Sequence, residues 1–243
     1  RNPLGNGTMI IVAGHIWNAA VAFGVCSVWF GFGRSIPLLD FPSWLWPVIA
    51  LSYTLMIVWV IPMFRNRRES HVYVSEMYLI GAAVWFPWIY ATASLLINKG
   101  TAPVMGAGID AWFISNLIYF WMAPLALAVA YYIIPKIAGR PIYSYPLAHF
   151  TFWMLAILAG WTGFARYMGG PFPAWMPAVS STAAIFILLA IFATVINLLL
   201  TLKGCTKLWE YSPSLRFTVF GMLMLAVYAV LGALGSPFYF GKN

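Results

Sequence analysis

The sequence predicts an all-α fold: a polytopic membrane helical bundle of about seven transmembrane helices, with the amino terminus inside and the carboxyl terminus outside. Three observations predict it. Of 243 residues, 63% are hydrophobic and only 7% charged, where a soluble domain carries about 25% charged residues. The apolar residues fall in long continuous runs, and the basic residues gather in the connections between them. With 13 Lys and Arg and 5 Asp and Glu, the chain has too few charges to cover a water-exposed surface, so lipid must cover part of it. The net charge of +8 is scattered through short loops, where it reads as a topology signal; binding to nucleic acid is set aside.

An apolar run of about 18 residues or more crosses a hydrocarbon layer of about 30 Å at 1.5 Å per residue. Seven such runs occur, at about 8–32, 44–63, 73–97, 112–134, 147–167, 179–202 and 217–235. Runs this long and continuous are helices, because backbone polar groups in lipid must be satisfied within the segment. The first run is followed by Gly31, Gly33 and Pro37, and the second is framed by Trp44 and Trp46 and by the basic turn Arg65, Arg67 and Arg68. The third carries Glu76 in its first turn, where the helix dipole favours a carboxylate. Ala123-Pro124 interrupts the fourth, and Gly139-Arg140-Pro141 ends it. Arg166 lies near the outer end of the fifth, placed to snorkel, before Gly169, Gly170, Pro171 and Pro173. The seventh offers small residues for close helix contact: Ala226, Ala229, Gly232, Ala233 and Gly235. Trp44, Trp46, Trp112, Trp175 and Trp209 are expected near span ends, at headgroup level. With no repeat or appendage visible, residues 1–243 read as one transmembrane domain.

Orientation follows from the basic residues. Arg1, Arg65, Arg67, Arg68, Lys136, Arg140, Lys203, Lys207 and Arg216 put nine on one side, against Arg34, Lys99, Arg166 and Lys242 on the other. The richer side is cytoplasmic. No short charged-then-apolar leader with a small-residue end is visible, so a cleaved signal peptide is not expected.

Ionisable groups within spans are few. His15 lies about two turns into the first span with Asn18 on the same face, and is the one candidate haem contact. A histidine hydrogen-bonded across a helix interface is the plainer reading. His71 and His149 fall at cytoplasmic helix ends. No Asp, Glu or Lys is expected near a bilayer centre, which weighs against an ion-coupled carrier. Met122, Met154, Met168, Met222 and Met224 are ordinary packing positions, and Cys26 and Cys205 form no metal or haem-attachment motif. Neither a catalytic residue nor a metal site is expected.

One stretch carries a specific likeness. Tyr131-Tyr132-Ile133-Ile134-Pro135-Lys136-Ile137-Ala138-Gly139-Arg140-Pro141-Ile142-Tyr143-Ser144-Tyr145 resembles the segment joining two helices in the catalytic subunit I of cbb-type cytochrome c oxidases, the C-family of haem-copper oxidases. His71-Val72-Tyr73-Val74, Phe152-Trp153, Trp161-Thr162-Gly163 and Pro173-Ala174-Trp175 fall in the same order. The resemblance covers nearly the whole chain and implies helices three to nine of the family's twelve. It also implies a copper site that the residues do not supply. The copper-ligating histidine falls at Ser115 and the adjacent histidine pair at Ala165 and Arg166. The tyrosine crosslinked to a copper ligand falls at Ala159, and a ninth-helix glutamate at Leu231. The family's haem-ligating histidines lie in helices outside this stretch.

The expectation is therefore a non-catalytic, subunit-I-like integral subunit with a structural role in a respiratory complex of the bacterial inner membrane. Its partners would be lipid, other integral subunits including a haem-copper oxidase catalytic subunit, and c-type cytochromes. It would hold no cofactor of its own, with haem only at an interface. Glu76, Lys136, Arg140, Tyr143 and Tyr145 are its proton or interface residues. The alternatives are a fragment or split part of a haem-binding oxidase subunit, and a seven-helix carrier or channel.

Overall fold

The computed structural model describes residues 7–65, 72–97, 101–205 and 208–235. Among them, all regular structure is helical. The elements are α1 (Gly7–Trp29), α2 (Trp46–Arg65), α3 (Val74–Leu96), α4 (Pro103–Asn116), a π-helical stretch (Leu117–Met122) and α5 (Ala123–Ala138). Then follow α6 (Tyr145–Leu158), two 3-10 turns (Ala159–Trp161 and Phe164–Tyr167), α7 (Trp175–Thr201), α8 (Leu208–Tyr211) and α9 (Pro213–Leu234). Six helical runs are long and apolar enough to cross a membrane, and α2 adds a shorter apolar stretch, Trp46–Pro62. Polytopic helical architecture is thus what the apolar runs specify. Arg1, Arg67, Arg68, His71, Lys99, Lys207 and Lys242 lie outside the described residues.

One boundary differs from the sequence reading, and one span departs from α-helical geometry within its expected bounds, each for a physical reason. The fourth span begins at Pro103 rather than near residue 112, and the helical run continues to Ala138 over 36 residues. Pro103 opens this helix at a position where its missing N–H costs nothing. Trp112 consequently sits well inside the run, edge-on to Trp88 at 6.2 Å, and not at a span end. The fifth span leaves α-helical geometry after Leu158. Thr162 is extended there, and Gly163 has φ 107°, a backbone conformation that residues with a Cβ rarely adopt.

The described chain divides into two compact units. In the first, α1 packs along α2. Trp17, Tyr53, Phe86 and Tyr90 form a ring cluster with successive centroids 5.7, 4.6 and 5.7 Å apart. Phe41 packs so closely on α1 that a Cβ on Gly24 would lie 2.8 Å from its ring. The second unit is built on α7, which contacts α6, α9 and α5. Ala183, Ile187, Ala190, Ile191, Thr194 and Leu198 form its buried stripe at helical spacing. Phe186, Leu189, Phe192, Ile196 and Leu199 are exposed on the same helix. Large apolar side chains facing outward in this density belong in lipid, where they cost nothing.

The π-helical stretch has a local cause. Pro124 has no N–H to give to a carbonyl four residues back, and its ring crowds that turn. The backbone widens just before it: the N–H of Ala123 donates to the carbonyl of Ile118, five residues earlier. Such insertions re-aim the side chains that precede and follow them. The residues immediately before this one are Ser115 and Asn116.

Candidate functional site

The positions at which the family resemblance calls for copper lie in the second unit, where α4 ends, α6 breaks and α7 runs past. The Ser115 hydroxyl donates to the Thr162 hydroxyl at 2.8 Å, and Thr162 donates in turn to the Ala159 carbonyl at 2.7 Å. Ser115, Asn116, Ala159 and Thr162 are all buried. Ser115 and Ala159 are thus brought together through a residue to which the sequence reading gave no role. Thr162 can be read afterwards as the residue preceding Gly163: its hydroxyl caps the broken helix at the point where glycine lets the chain turn.

Ala165 and Arg166 go elsewhere. The Ala165 N–H donates to Ser180 Oγ on α7 at 3.1 Å. Arg166 is exposed, as its outer-end position leads one to expect. Tyr228 packs against Tyr119 of the π-helical stretch at 5.7 Å. Gly232 leaves room for the Tyr119 hydroxyl, which lies 3.6 Å from where a Cβ would be. Ala226, Ala229 and Ala233 are buried, while Leu231, at the position of the family's glutamate, points outward.

This arrangement does not fit a copper ion. Ser115 offers only a neutral hydroxyl oxygen, a poor copper ligand, Ala159 and Ala165 bring no side-chain donor, and Arg166 is a cation. Copper requires imidazole, thiolate or comparable donors converging at one point. Among the described residues, no group of three His, Cys, Asp or Glu side chains is placed to hold a metal ion.

His15 and Asn18 share an exposed face of α1, and His15 Nδ1 pairs with the Ile11 carbonyl at 2.7 Å. His149 makes the same local bond to the Tyr145 carbonyl at 2.8 Å. Met222 is buried in α9, whereas Met122 and Met224 are exposed. Cys26 and Cys205 are free thiols.

The connection between α5 and α6 holds the rest of the expected site residues. The α5 helix ends at Gly139 in left-handed geometry, and the chain turns back through Arg140 to Tyr145. Asn197 of α7 fastens this turn, accepting from the Ser144 N–H at 2.8 Å and donating to the Ser144 carbonyl at 2.7 Å. Thr201 accepts from the Tyr143 N–H at 3.0 Å, and Arg140 Nη1 donates to the Lys203 carbonyl at 2.8 Å. The Lys136 ammonium donates to the Tyr132 hydroxyl at 2.7 Å and lies 4.7 Å from that ring's centre. Glu76, Lys136 and Tyr145 line one pocket, while the Tyr143 N–H is engaged with Thr201 of α7 and Arg140 with the Lys203 carbonyl just beyond it.

Three further polar features escaped the sequence reading. Asn197 is fully buried in the longest apolar run. Thr151 and Thr194 pair at 2.8 Å, with Thr151 also donating to the Ala190 carbonyl. Asp110 lies inside α4 with one carboxyl oxygen buried, because the helix starts earlier than expected. Pro103 was the available signal for that early start.

Fold and site together define a multi-pass helical membrane protein whose second unit holds a buried Ser115–Thr162–Ala159 hydrogen-bond chain. Comparison with known proteins then specifies the family. The model of the family described as cytochrome c and quinol oxidase polypeptide I matches residues 4–237. The cytochrome c oxidase subunit 1 homolog, bacteroid, of Bradyrhizobium diazoefficiens is 26% identical over 226 residues, covering 84% of this chain and 40% of that protein. The cbb3-type cytochrome c oxidase subunit CcoN1 of Stutzerimonas stutzeri is 25% identical over 221 residues, 84% of this chain and 44% of that one. Cytochrome c oxidase subunit 1 of Rhodobacter capsulatus is 27% identical over 184 residues, 70% and 35% of the two chains. This chain belongs to the cytochrome c and quinol oxidase polypeptide I family. It spans about two fifths of the length of the first two of these relatives.

Proposed function

We propose that this chain is a non-catalytic, subunit-I-like integral subunit with a structural role in a respiratory electron-transfer complex of the bacterial inner membrane. The observation that carries the proposal is the hydroxyl chain from Ser115 through Thr162 to the Ala159 carbonyl, at positions where the family resemblance calls for copper ligands that need nitrogen donors. Its partners on this reading are membrane lipid, a haem-copper oxidase catalytic subunit and c-type cytochromes. Haem belongs to those partners, and a haem at an interface would draw on the exposed His15. The amino terminus faces the cytoplasm, following the excess of basic residues on its side. Glu76, Lys136, Arg140, Tyr143 and Tyr145 then lie at the cytoplasmic helix ends as interface residues.

The experiment is gentle isolation of the complex from native membranes. Co-purifying chains are identified, copper is counted, and the separated chain is tested for haem absorption and oxygen consumption. Co-purification with a cytochrome, and no stoichiometric copper or haem on the separated chain, are expected. One copper per separated chain overturns the proposal. A second reading, part of a longer or split haem-binding oxidase subunit, is favoured by the partial coverage of the relatives. A native product heavier than 27.1 kDa by several helices would establish it.

A further inference from the structure

In the second unit, a pocket of about 550 Å³ opens where α3 begins, α5 ends and α6 begins. Its volume lies within the range of about 300–1,000 Å³ that small-molecule sites occupy. Its lining includes Ser75, Glu76, Tyr132, Lys136 and Tyr145. The Glu76 Oε2 atom is buried and has no hydrogen-bond partner among the described residues. A carboxylate oxygen withdrawn from water without a donor is costly, so this atom calls for an N–H or O–H that the described residues do not supply. Lys136 is exposed and has given one proton to Tyr132; an ammonium has three to give. The neighbouring guanidinium is drawn away, because Arg140 is bonded to the Lys203 carbonyl. The pocket therefore presents one negative and one positive group, each with unused capacity.

We propose that this pocket binds a zwitterionic phospholipid headgroup with a primary ammonium, the phosphoethanolamine group, whose ammonium meets Glu76 while its phosphate meets Lys136. A simple cation would satisfy Glu76 but face the Lys136 charge; a simple anion would satisfy Lys136 and leave Glu76 buried without a donor. A ligand carrying both charges meets both demands. A choline headgroup has the same charges but no N–H to donate. The location fits a lipid. The pocket lies at the ends of apolar helices, and its rims carry the exposed rings of Tyr132 and Tyr145, which suit the headgroup level. Below it, exposed Leu79 lies one turn beyond Glu76 on α3, and exposed Val129 lies two turns before Lys136 on α5, so acyl chains have apolar surface to follow.

The test is native mass spectrometry of the purified full chain after exchange into detergent with chain-matched phosphatidylethanolamine, phosphatidylcholine or phosphatidylglycerol. One phosphatidylethanolamine should be retained per chain. A hydrogen bond to a charged group is expected to favour it over phosphatidylcholine by about tenfold. Glu76→Gln should remove that preference, and Lys136→Gln should weaken both zwitterionic lipids. Equal retention of all three lipids by the unaltered chain would overturn the proposal. So would an undiminished preference in Glu76→Gln. Should Glu76→Gln not fold, Lys136→Gln decides alone, since this residue is exposed; unchanged retention of phosphatidylethanolamine there would also overturn it.

Discussion

Replacing Asn197 by Leu tests how the α5–α6 connection is held. Asn197 makes two well-formed bonds to the backbone of Ser144, at 2.7 and 2.8 Å, and a third to the Tyr131 hydroxyl at 3.5 Å, the outer limit for a hydrogen bond. Leucine keeps the same branched four-heavy-atom side chain and is somewhat bulkier, so the cost comes from polar groups left behind and not from a cavity. Each buried group stripped of its partner costs about 1–3 kcal/mol. Side-chain hydrogen bonds within membranes average only about 0.6 kcal/mol, because the unfolded reference finds other partners. Ser144 is half-buried at the start of a helix, where water can reach its N–H and carbonyl. The lower part of the range therefore applies to each group, and Asn197→Leu should destabilise by about 2 kcal/mol.

The measurement is reversible unfolding in mixed micelles against denaturing detergent, with amide exchange at Ser144 as a local readout. Faster exchange confined to residues 140–147 should accompany the loss, since Thr201 still holds Tyr143. Thr201→Val in the same background removes the second tether. The two losses should combine less than additively, because one released turn cannot be released twice. A change in Asn197→Leu below about 0.5 kcal/mol, the usual size of a neutral surface substitution, would refute the reasoning.

Substitutions at three other positions follow from the same packing. Gly163→Ala should lower stability by about 1–3 kcal/mol in the same unfolding assay, because φ 107° is strained for any residue with a Cβ. Ser115→Ala should cost no more than about 1 kcal/mol, since Thr162 keeps its bond to the Ala159 carbonyl and no buried donor is orphaned; a larger loss would show that Ser115 has a partner beyond Thr162. Gly232→Ala should be tolerated, with its Cβ in ordinary contact 3.6 Å from the Tyr119 hydroxyl. Gly232→Leu should cost about 1–3 kcal/mol by overpacking and displace Tyr119 from Tyr228, which near-ultraviolet circular dichroism would detect.

The parts of the fold legible in the sequence were those set by solvent. Apolar runs long enough to cross lipid were found because the bilayer demands continuity, and the buried alanines of α9 because close helix contact demands small residues. What was not legible is set by backbone competition. The start of α4 lay hidden because Gly106, Gly108 and Asp110 read as a loop, although Pro103 opens a helix. The break after Leu158 was missed because Trp161, Phe164 and Tyr167 kept the run apolar, while Gly163 and the Thr162 hydroxyl decided the geometry. Asn197 attracted no attention as one amide among aliphatics, because its importance comes from a turn 53 residues earlier in the chain. The meeting of Glu76 with Lys136 had no local signal either, since it is made by tertiary folding.

The two polar regions of the second unit differ in a way that bears on what each can do. At the broken end of α6, the hydroxyls of Ser115 and Thr162 each donate inward, and the receiving carbonyl belongs to the same turn. This short chain of hydrogen bonds fixes Ser115 against the 3-10 turn, and its neutral hydroxyls are poor ligands for copper. Opening it would require breaking two buried bonds before any ligand bond formed. At the junction of α3, α5 and α6 the balance is reversed: a buried carboxylate oxygen lacks a donor among the described residues while an ammonium retains protons to give. Binding there gains a missing bond and breaks none within the chain. On the proposed reading, the capacity for recognition resides at these helix ends, while the Ser115 and Thr162 bonds hold the broken end of α6 in place.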